Sequence, residues 1–316
     1  MLAIVQETRD PFFNLATEDF LLHERGEDFL ILYVNDPSVV IGKHQVAHME
    51  IDERNTCRDG INVLRRISGG GAVYHDHGNL NYTFIRESEK GKQVDFRLYM
   101  SPVIRFLESA GVNAEFGGKN DLLAGGLKIS GNAEHVYRER VMHHGTLLFD
   151  ASLGNMGKYL RPESAFYSTH AVSSNRSTVT NLKGLMKGIR TIDELISSMT
   201  SFFMKDLENI EIARLSSDEK ERIAAIAGSK YRSWDWIWGY GPAYTFEKEF
   251  YLSGIHHNCK LNVKDGIIRE CVIRGSVALE SAGRSLPGCR HFAADILGAF
   301  RNYGIELTED EVYLFF

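Results

Sequence analysis

The feature that most constrains this chain is a run of three consecutive glycines, Gly69-Gly70-Gly71, which links two apolar, β-branched stretches directly after Arg65-Arg66-Ile67-Ser68. Glycine has no Cβ to block close approach, so successive backbone N–H groups at such a turn can wrap an anion. A neighbouring arginine adds a planar clamp for phosphate or carboxylate. The segment contains neither the phosphate-loop pattern of nucleoside triphosphatases nor the Gly-x-Gly-x-x-Gly of dinucleotide folds, which disfavours both. Read alone, it fits an anion-binding turn and a solvent-facing hairpin equally well.

A second segment, Asn120-Asp121-Leu122-Leu123-Ala124-Gly125-Gly126-Leu127-Lys128-Ile129-Ser130-Gly131, reads as a hairpin with Gly125-Gly126 at its centre. That register pairs Leu123 with Lys128 and Asp121 with Ser130. Alternation then puts Asp121, Leu123, Lys128 and Ser130 on one face and Leu122, Leu127 and Ile129 on the other. An ammonium beside a carboxylate on one sheet face suits activation of a carboxylic acid by ATP, because the amine neutralises two anions that must meet. The spacing fits an ordinary surface ion pair as well.

Composition narrows the classes. The 316 residues are 43% apolar and 25% charged, with 36 basic against 42 acidic side chains and a net charge of −6. No long basic block is present, so nucleic acid is not an expected partner. No apolar run reaches the roughly 18 residues of a membrane helix, and no membrane association is expected. Cys57, Cys259, Cys271 and Cys289 form no Cys-x-x-Cys pair, which suits a reducing compartment, and the absence of a secretory layout near Met1 points to a cytoplasmic location. The histidine pairs His75/His77, His143/His144 and His256/His257 do not stand at the spacing of a zinc site.

Along the chain, Leu15 to Glu24 reads as a helix capped by Asn14, and 29–34 and 39–42 read as a hairpin turning at Asn35-Asp36-Pro37. Strands are expected over 61–66, 72–76 and 80–85, then a helix from Phe96 or Ser101 to Ala110 with Pro102 in its first turn. Capping boxes at Thr191/Glu194 and Ser216/Glu219 predict two helices. The tryptophan-rich segment 233–239 ends in Tyr240-Gly241-Pro242, the expected domain boundary. Beyond it, 246–255, 259–263 and 267–274 read as antiparallel strands with a turn at Lys264-Asp265-Gly266, before a helix over 289–301.

Taken together, Arg65-Arg66-x-Ser68-Gly69-Gly70-Gly71-Ala72-Val73-Tyr74-His75-Asp76, Asn120-Asp121-Leu122, Lys128-Ile129-Ser130-Gly131-Asn132-Ala133 and His143-His144-Gly145-Thr146-Leu147-Leu148 resemble the lipoate-protein ligase A family in order and spacing. The resemblance continues through Arg176-Ser177-x-Val179-Thr180-Asn181-Leu182 and the 233–242 segment. It implies an α+β protein: a biotin/lipoate ligase-type catalytic domain over 1–242, with a mixed β-sheet flanked by helices, and a small α+β accessory domain over 243–316. By the same resemblance, Arg66, Gly71, Ala72, Val73, Tyr74, His75, Asp76, Asn120, Asp121 and Lys128 would meet ATP, with Lys128 as the catalytic residue. Arg66, Gly69, Gly70, Lys128 and His144 would border the lipoyl group, and Asp121 would face Mg²⁺. The implied reaction activates lipoate, or octanoate, to an acyl-adenylate. Transfer follows to a lysine of lipoyl domains in 2-oxoacid dehydrogenase E2 subunits or of the glycine cleavage H protein.

Three other readings compete. An octanoyltransferase of the same superfamily needs a reactive thiol near the acyl site, and no cysteine falls within 120–148. A biotin ligase is disfavoured by the Gly-Gly-Gly-Ala-Val-Tyr-His-Asp pattern. A non-catalytic binder is disfavoured by the retention of Lys128, Asp121 and all three glycines. The polar run from Tyr167 to Lys187 is a candidate lid over an intermediate that water would destroy, or equally a plain surface loop.

Overall fold

The chain opens with β1 (Leu2–Val5), α1 (Pro11–Glu24), β2 (Phe29–Val34) and β3 (Ser38–Ile41). Two short helices, α2 (Ala47–Glu50) and α3 (Glu53–Arg58), lead to β4 (Asn62–Arg65), β5 (Val73–His75) and β6 (Asn79–Glu87). Helix α4 (Phe96–Ser109) precedes β7 (Ala114–Gly117), β8 (Asp121–Ala124), β9 (Leu127–Tyr137) and β10 (Arg140–Leu148). Then come α5 (Leu153–Tyr159), β11 (Tyr167–Thr169), α6 (Ile192–Asp206), β12 (Glu211–Ile212) and α7 (Ser217–Ile226). The C-terminal part holds β13 (Tyr244–Leu252), β14 (Ile255–Lys264), β15 (Ile267–Arg274), α8 (Val277–Gly283) and α9 (Ala293–Arg301). This computed structural model describes every residue except 89–93, 161–164, 175–176 and 208, so Arg176 lies outside the described residues.

Strand β2 shows why the large unit is layered. All six of its residues are buried, and their alternation sends Leu30 and Leu32 to one side of the sheet and Ile31 and Tyr33 to the other. On the first side Val103 and Phe106 of α4 and Leu195, Met199 and Phe203 of α6 close a core. On the second, Leu15 and Phe20 of α1 and Ile223 of α7 do so. The sheet has eight strands in the order β12-β1-β2-β6-β10-β9-β8-β7, parallel across β12/β1/β2 and antiparallel elsewhere. A three-stranded sheet, β4-β3-β5, carries the triple glycine between β4 and β5. The expected α+β fold, with a mixed sheet flanked by helices, is the observed one.

The C-terminal sheet has the order β11-β13-β14-β15, with Asp265 and Gly266 at positive φ in the β14–β15 turn. Its core is completed by Val46 and Met49 from beside and within α2, and its edge strand β11 comes from residues 167–169. Both expected capping boxes are present at Thr191/Glu194 and Ser216/Glu219. No helix among the described residues is long and apolar enough to cross a membrane.

Four local expectations are corrected. Strands β2 and β3 form no hairpin, because β2 pairs with β1 and β6 while β3 leaves for the small sheet. Helix α1 is capped by Asp10, whose carboxylate accepts from Phe12 N at 3.0 Å, with Pro11 in the first turn; Asn14 is inside the helix. Of its two expected starts α4 takes Phe96, with Asp95 capping Leu98 N, so Pro102 lies within the helix and not in its first turn. Helix α9 begins at Ala293, since Arg290 bridges Ile267 at the edge of the sheet.

Candidate active site

The triple-glycine turn is organised from inside by Arg66. Its side chain is buried, and its guanidinium donates to Val40 O (3.1 Å), Ser68 Oγ (3.0 Å), Gly69 O (2.6 Å) and Gly71 O (2.8 Å). Burial lowers its pKa to about 10, which leaves it charged at neutral pH. Gly70 adopts φ +88°, and a Cβ there would lie 2.9 Å from an Arg66 nitrogen. Gly42 is equally constrained, because a Cβ on it would sit 2.1 Å from Gly70 O. The turn therefore closes on the guanidinium at positions where only glycine fits. Arg65 points the other way and is wholly buried, donating to Gly42 O, Gln45 O and Ile237 O, so it ties the tryptophan-rich segment to the small sheet.

Across the cleft, β8 and β9 pair as expected at Leu123↔Lys128, but the register shifts between Leu122 and Leu123. Beyond this bulge Leu122 faces Ser130 and Asp121 faces Gly131, not Ser130. The extra residue sends Ser130 to the core face beside Tyr82 and Asn132, so its expected place with Lys128 is corrected. Asp121 and Lys128 keep the shared face expected of them: Nζ lies 2.8 Å from Oδ1, with both side chains about a quarter exposed. A Cβ on Gly131 would come within 3.1 Å of Lys128 Cε, so the lysine crosses the strand over bare backbone.

Two cavities share a wall that includes Lys128, and Asp121 lines the inner of them. The inner one, about 300 Å³, is lined by Leu15, Tyr33, Val40 and Asn81 together with the expected Arg66, Gly70, His75, Asn120, Asp121 and His144. The outer one, about 410 Å³, runs past Tyr74, Leu148, Leu153, Met156 and Val179. Ala72, Val73, Lys128, Gly131, Thr146 and Ser174 line both and form the throat, while Gly71 is on the inner wall. Of the expected site residues, Gly69 and Asp76 line neither cavity. Gly69 O is turned to Arg66, and the Asp76 carboxylate accepts from Gly78 N (2.9 Å) and Ser152 N (2.8 Å), holding the approach to α5.

At the inner end, alternation along β10 separates the two neighbouring histidines. His143 turns to the helix layer, stacked on Tyr99 at 5.0 Å, and burial lowers its pKa to about 3. His144 faces the cavity, with Nε2 2.6 Å from Ser68 Oγ and Nδ1 3.0 Å from Glu18 Oε2. Glu18 is itself buried and also accepts from Tyr33 OH (2.9 Å) and Thr83 Oγ1. His75 is fully buried, and desolvation, helped by Arg66 and His144, drops its pKa to about 3, so its ring is neutral. Its near neighbour His77 is exposed and pairs with Asp36. No cluster of three or more metal-ligating side chains occurs among the described residues.

Sequence reasoning missed Glu18, Glu50 and Ser174. Ser174 Oγ accepts from Ala72 N (2.8 Å) and Gln45 Nε2 (3.1 Å) and bonds the Glu50 carboxylate, whose pKa burial raises against these hydrogen bonds. Within the polar run 167–187, Ser174 is thus tied to the cavity wall, and Lys128 N donates to Thr178 O and Thr180 N to Lys128 O, both at 2.9 Å. A signal existed for Glu18 alone: an acid within the apolar α1, eleven of whose fourteen residues are buried. Glu50 and Ser174 meet only across 124 residues of chain.

A family model described as the lipoyl protein ligase A/B catalytic domain matches residues 10–204. The lipoate-protein ligase LplJ of Bacillus subtilis is 35% identical over 276 residues, covering 85% of this chain and 83% of that protein. A crystal structure of lipoate-protein ligase A bound with ATP superposes with a TM-score of 0.65 at 26% identity, over 75% of this chain and 98% of that one. The bipartite lipoate protein ligase of Thermoplasma acidophilum, studied with its E2 lipoyl domain, gives a TM-score of 0.65 at 25% identity, over 75% and 96%.

Proposed function

This chain belongs to the lipoyl protein ligase A/B family, and from that membership we propose how its cleft carries out ATP-dependent ligation of lipoate to protein. The observation that carries the reading is the Lys128–Asp121 pair at 2.8 Å: Lys128 stands on the wall that the two cavities share, beside the triple-glycine turn, with Asp121 next to it on the inner wall. The inner cavity takes the acyl chain and the outer one the nucleotide. The lipoate carboxylate oxygen attacks the α-phosphorus, the bond to the β-phosphate oxygen breaks, and pyrophosphate leaves. The Lys128 ammonium lies between the two anions and offsets their repulsion as the new P–O bond forms. An acceptor lysine amine then attacks the acyl carbon, and AMP departs with the bonding pair.

Asn120 and Asp121 border the phosphates in this reading, with Ala72 to Tyr74 along the nucleotide. Asp121, whose carboxylate lies beside Lys128 on the inner wall, would help hold Mg²⁺ together with phosphate oxygens, and the ion would neutralise the departing pyrophosphate. The strap around Ser174 keeps water from the mixed anhydride. Lipoyl domains of E2 subunits and the glycine cleavage H protein are the acceptors we assign, with octanoate as a second acid. We place the catalytic part in 1–242, the accessory part in 243–316, and the enzyme in the cytoplasm. None of the four cysteines lines either cavity, which leaves the thioester chemistry of an octanoyltransferase without a nucleophile. The test is ATP–pyrophosphate exchange with lipoate, octanoate and biotin offered separately. Exchange with lipoate is expected; exchange with biotin alone, or with none, overturns the proposal.

A further inference from the structure

At the throat two strands of the large sheet part. Strand β10 pairs with β9 only as far as Gly145↔Asn132, and the next residue, Thr146, keeps its partner Asn81 on the β6 side. On the β9 side, Gly131 N donates to the Thr146 hydroxyl oxygen at 3.3 Å. From Val141 to Leu148 every residue of β10 is buried except Thr146, which lines both cavities on the face that it shares with His144.

A hydroxyl has one proton and two lone pairs. The Gly131 bond takes a lone pair, and no described residue accepts the Thr146 proton. The other hydroxyls common to both cavities differ. Ser174 gives its proton to Glu50 while accepting from Ala72 N and Gln45 Nε2, and Ser173 and Ser177 are exposed in the polar run 167–187. Thr146 therefore offers a free donor from a strand that the sheet holds in place. Lys128 reaches the same point across Gly131, on which a Cβ would lie 3.2 Å from Nζ. A cation and a hydroxyl proton thus flank the spot at which an acid group would react.

We propose that Thr146 is a catalytic residue of the transfer step: its hydroxyl donates to the acyl carbonyl oxygen, which gains negative charge when the acceptor amine attacks. The inference rests on the ligase reading above. In that step the amine nitrogen bonds the acyl carbon, and the carbonyl π pair moves onto oxygen. The pair returns as the bond from carbon to the phosphate oxygen breaks, AMP leaves with the electrons of that bond, and the surplus proton of the amine passes to water. A donor fixed at the carbonyl oxygen binds more strongly as charge grows there, which lowers the barrier. Adenylation runs the other way: the carboxylate loses charge as it attacks phosphorus, so a donor to its second oxygen does not speed that step.

The test separates the two steps. Thr146→Val keeps the shape of the side chain and removes the hydroxyl, whereas Thr146→Ser keeps the hydroxyl. Pyrophosphate exchange with lipoate reads adenylation, and a single turnover from the enzyme–lipoyl-adenylate complex to an E2 lipoyl domain reads transfer. Valine should slow transfer about 10²-fold, the effect of one oxyanion donor, while exchange changes by less than about threefold. Serine should restore transfer to within several-fold of the wild type. Equal losses in both steps would assign the hydroxyl to strand structure or nucleotide binding and overturn the proposal. Normal transfer in the valine variant overturns it too, as does a serine variant as slow as valine. Should valine not fold, the wild type still decides. Isotope-edited infrared spectra of bound lipoyl-adenylate, labelled with ¹³C at the acyl carbon, should place the carbonyl stretch below that of the free adenylate in water. A stretch at or above the free value overturns the proposal. Absence of pyrophosphate exchange in the wild type would refute the ligase reading, whereas normal wild-type exchange and transfer with an unsplit valine variant refute this inference alone.

Discussion

Lys128 reaches Asp121 across the bare backbone of residue 131: the ammonium lies 2.8 Å from the carboxylate, and a Cβ on Gly131 would stand 3.1 Å from Lys128 Cε and 3.2 Å from Nζ. Gly131 also lines the throat. A methyl group there meets only the flexible end of the lysine, so the fold can absorb it while the amine must shift by a few tenths of an ångström. Gly131→Ala should leave the melting temperature within a few degrees of wild type and lower the rate of pyrophosphate exchange roughly tenfold or more, as small misplacements at a reacting centre do. Exchange kinetics beside a thermal melt check this; a variant with normal exchange would show that the lysine need not lie over residue 131.

Removing the amine tests the same relationship more harshly. On the proposed reading Lys128→Ala takes away the cation between two anions, and loss of one such group lowers rates about 10²- to 10³-fold. The strand itself should persist, because Lys128 is held to the strap by backbone bonds to Thr178 and Thr180 that an alanine retains. Loss of exchange with an unchanged melting temperature is expected, and normal adenylation would dismiss the catalytic assignment.

How much of this was legible in the sequence depends on the range of the interactions. The Gly69–Gly71 turn, the Gly125-Gly126 hairpin and both capping boxes are local patterns, and each stands where its spacing placed it. The bulge after Leu122 was invisible, because alternation assumes an unbroken register and one extra residue reverses every face beyond it. Ser130 was misplaced for that reason. Glu18 and Ser174 acquire their roles from partners far along the chain, His144 at 126 residues and Glu50 at 124, which spacing does not encode. Arg66 read as a ligand clamp; in the fold most of its donors hold the glycine turn itself.

A second buried network gives a pH prediction. Asn132 Oδ1 accepts from Tyr82 OH and lies 3.2 Å from His143 Nε2, so that nitrogen carries the proton and Nδ1 accepts from Glu134 at 2.9 Å. Glu134 must then be a neutral acid, in agreement with the rise of its pKa to about 7, caused first by burial and then by Asp95. Between about 4.5 and 7 the folded state holds a proton that the unfolded chain releases, so this group's stabilising contribution is full at low pH and is lost as pH rises through 7. The loss is on the order of 1–3 kcal/mol. Glu134→Gln, which keeps a donor for His143, should flatten this fall between pH 5 and 8 in thermal melts. A slope identical to wild type would mean that the carboxyl does not titrate there.

The strap offers the last prediction. Ser174 Oγ joins the Ala72 N–H of the glycine turn, Gln45 and the buried Glu50 carboxylate, and the backbone of Ser174 also donates to Glu50 at 3.3 Å. Ser174→Ala removes the hydroxyl but not the backbone bond, so the strap should stay nearby yet close less tightly over the throat. Acyl transfer and hydrolysis compete for the same mixed anhydride, and easier entry of water favours hydrolysis. The variant should therefore release several-fold more pyrophosphate per lipoylated acceptor than wild type, with pyrophosphate exchange changed far less. Counting pyrophosphate against labelled acceptor in one reaction measures the leak. A wild-type ratio would show that this hydroxyl takes no part in shielding the intermediate, whereas equal losses in exchange and transfer would assign it to nucleotide binding instead.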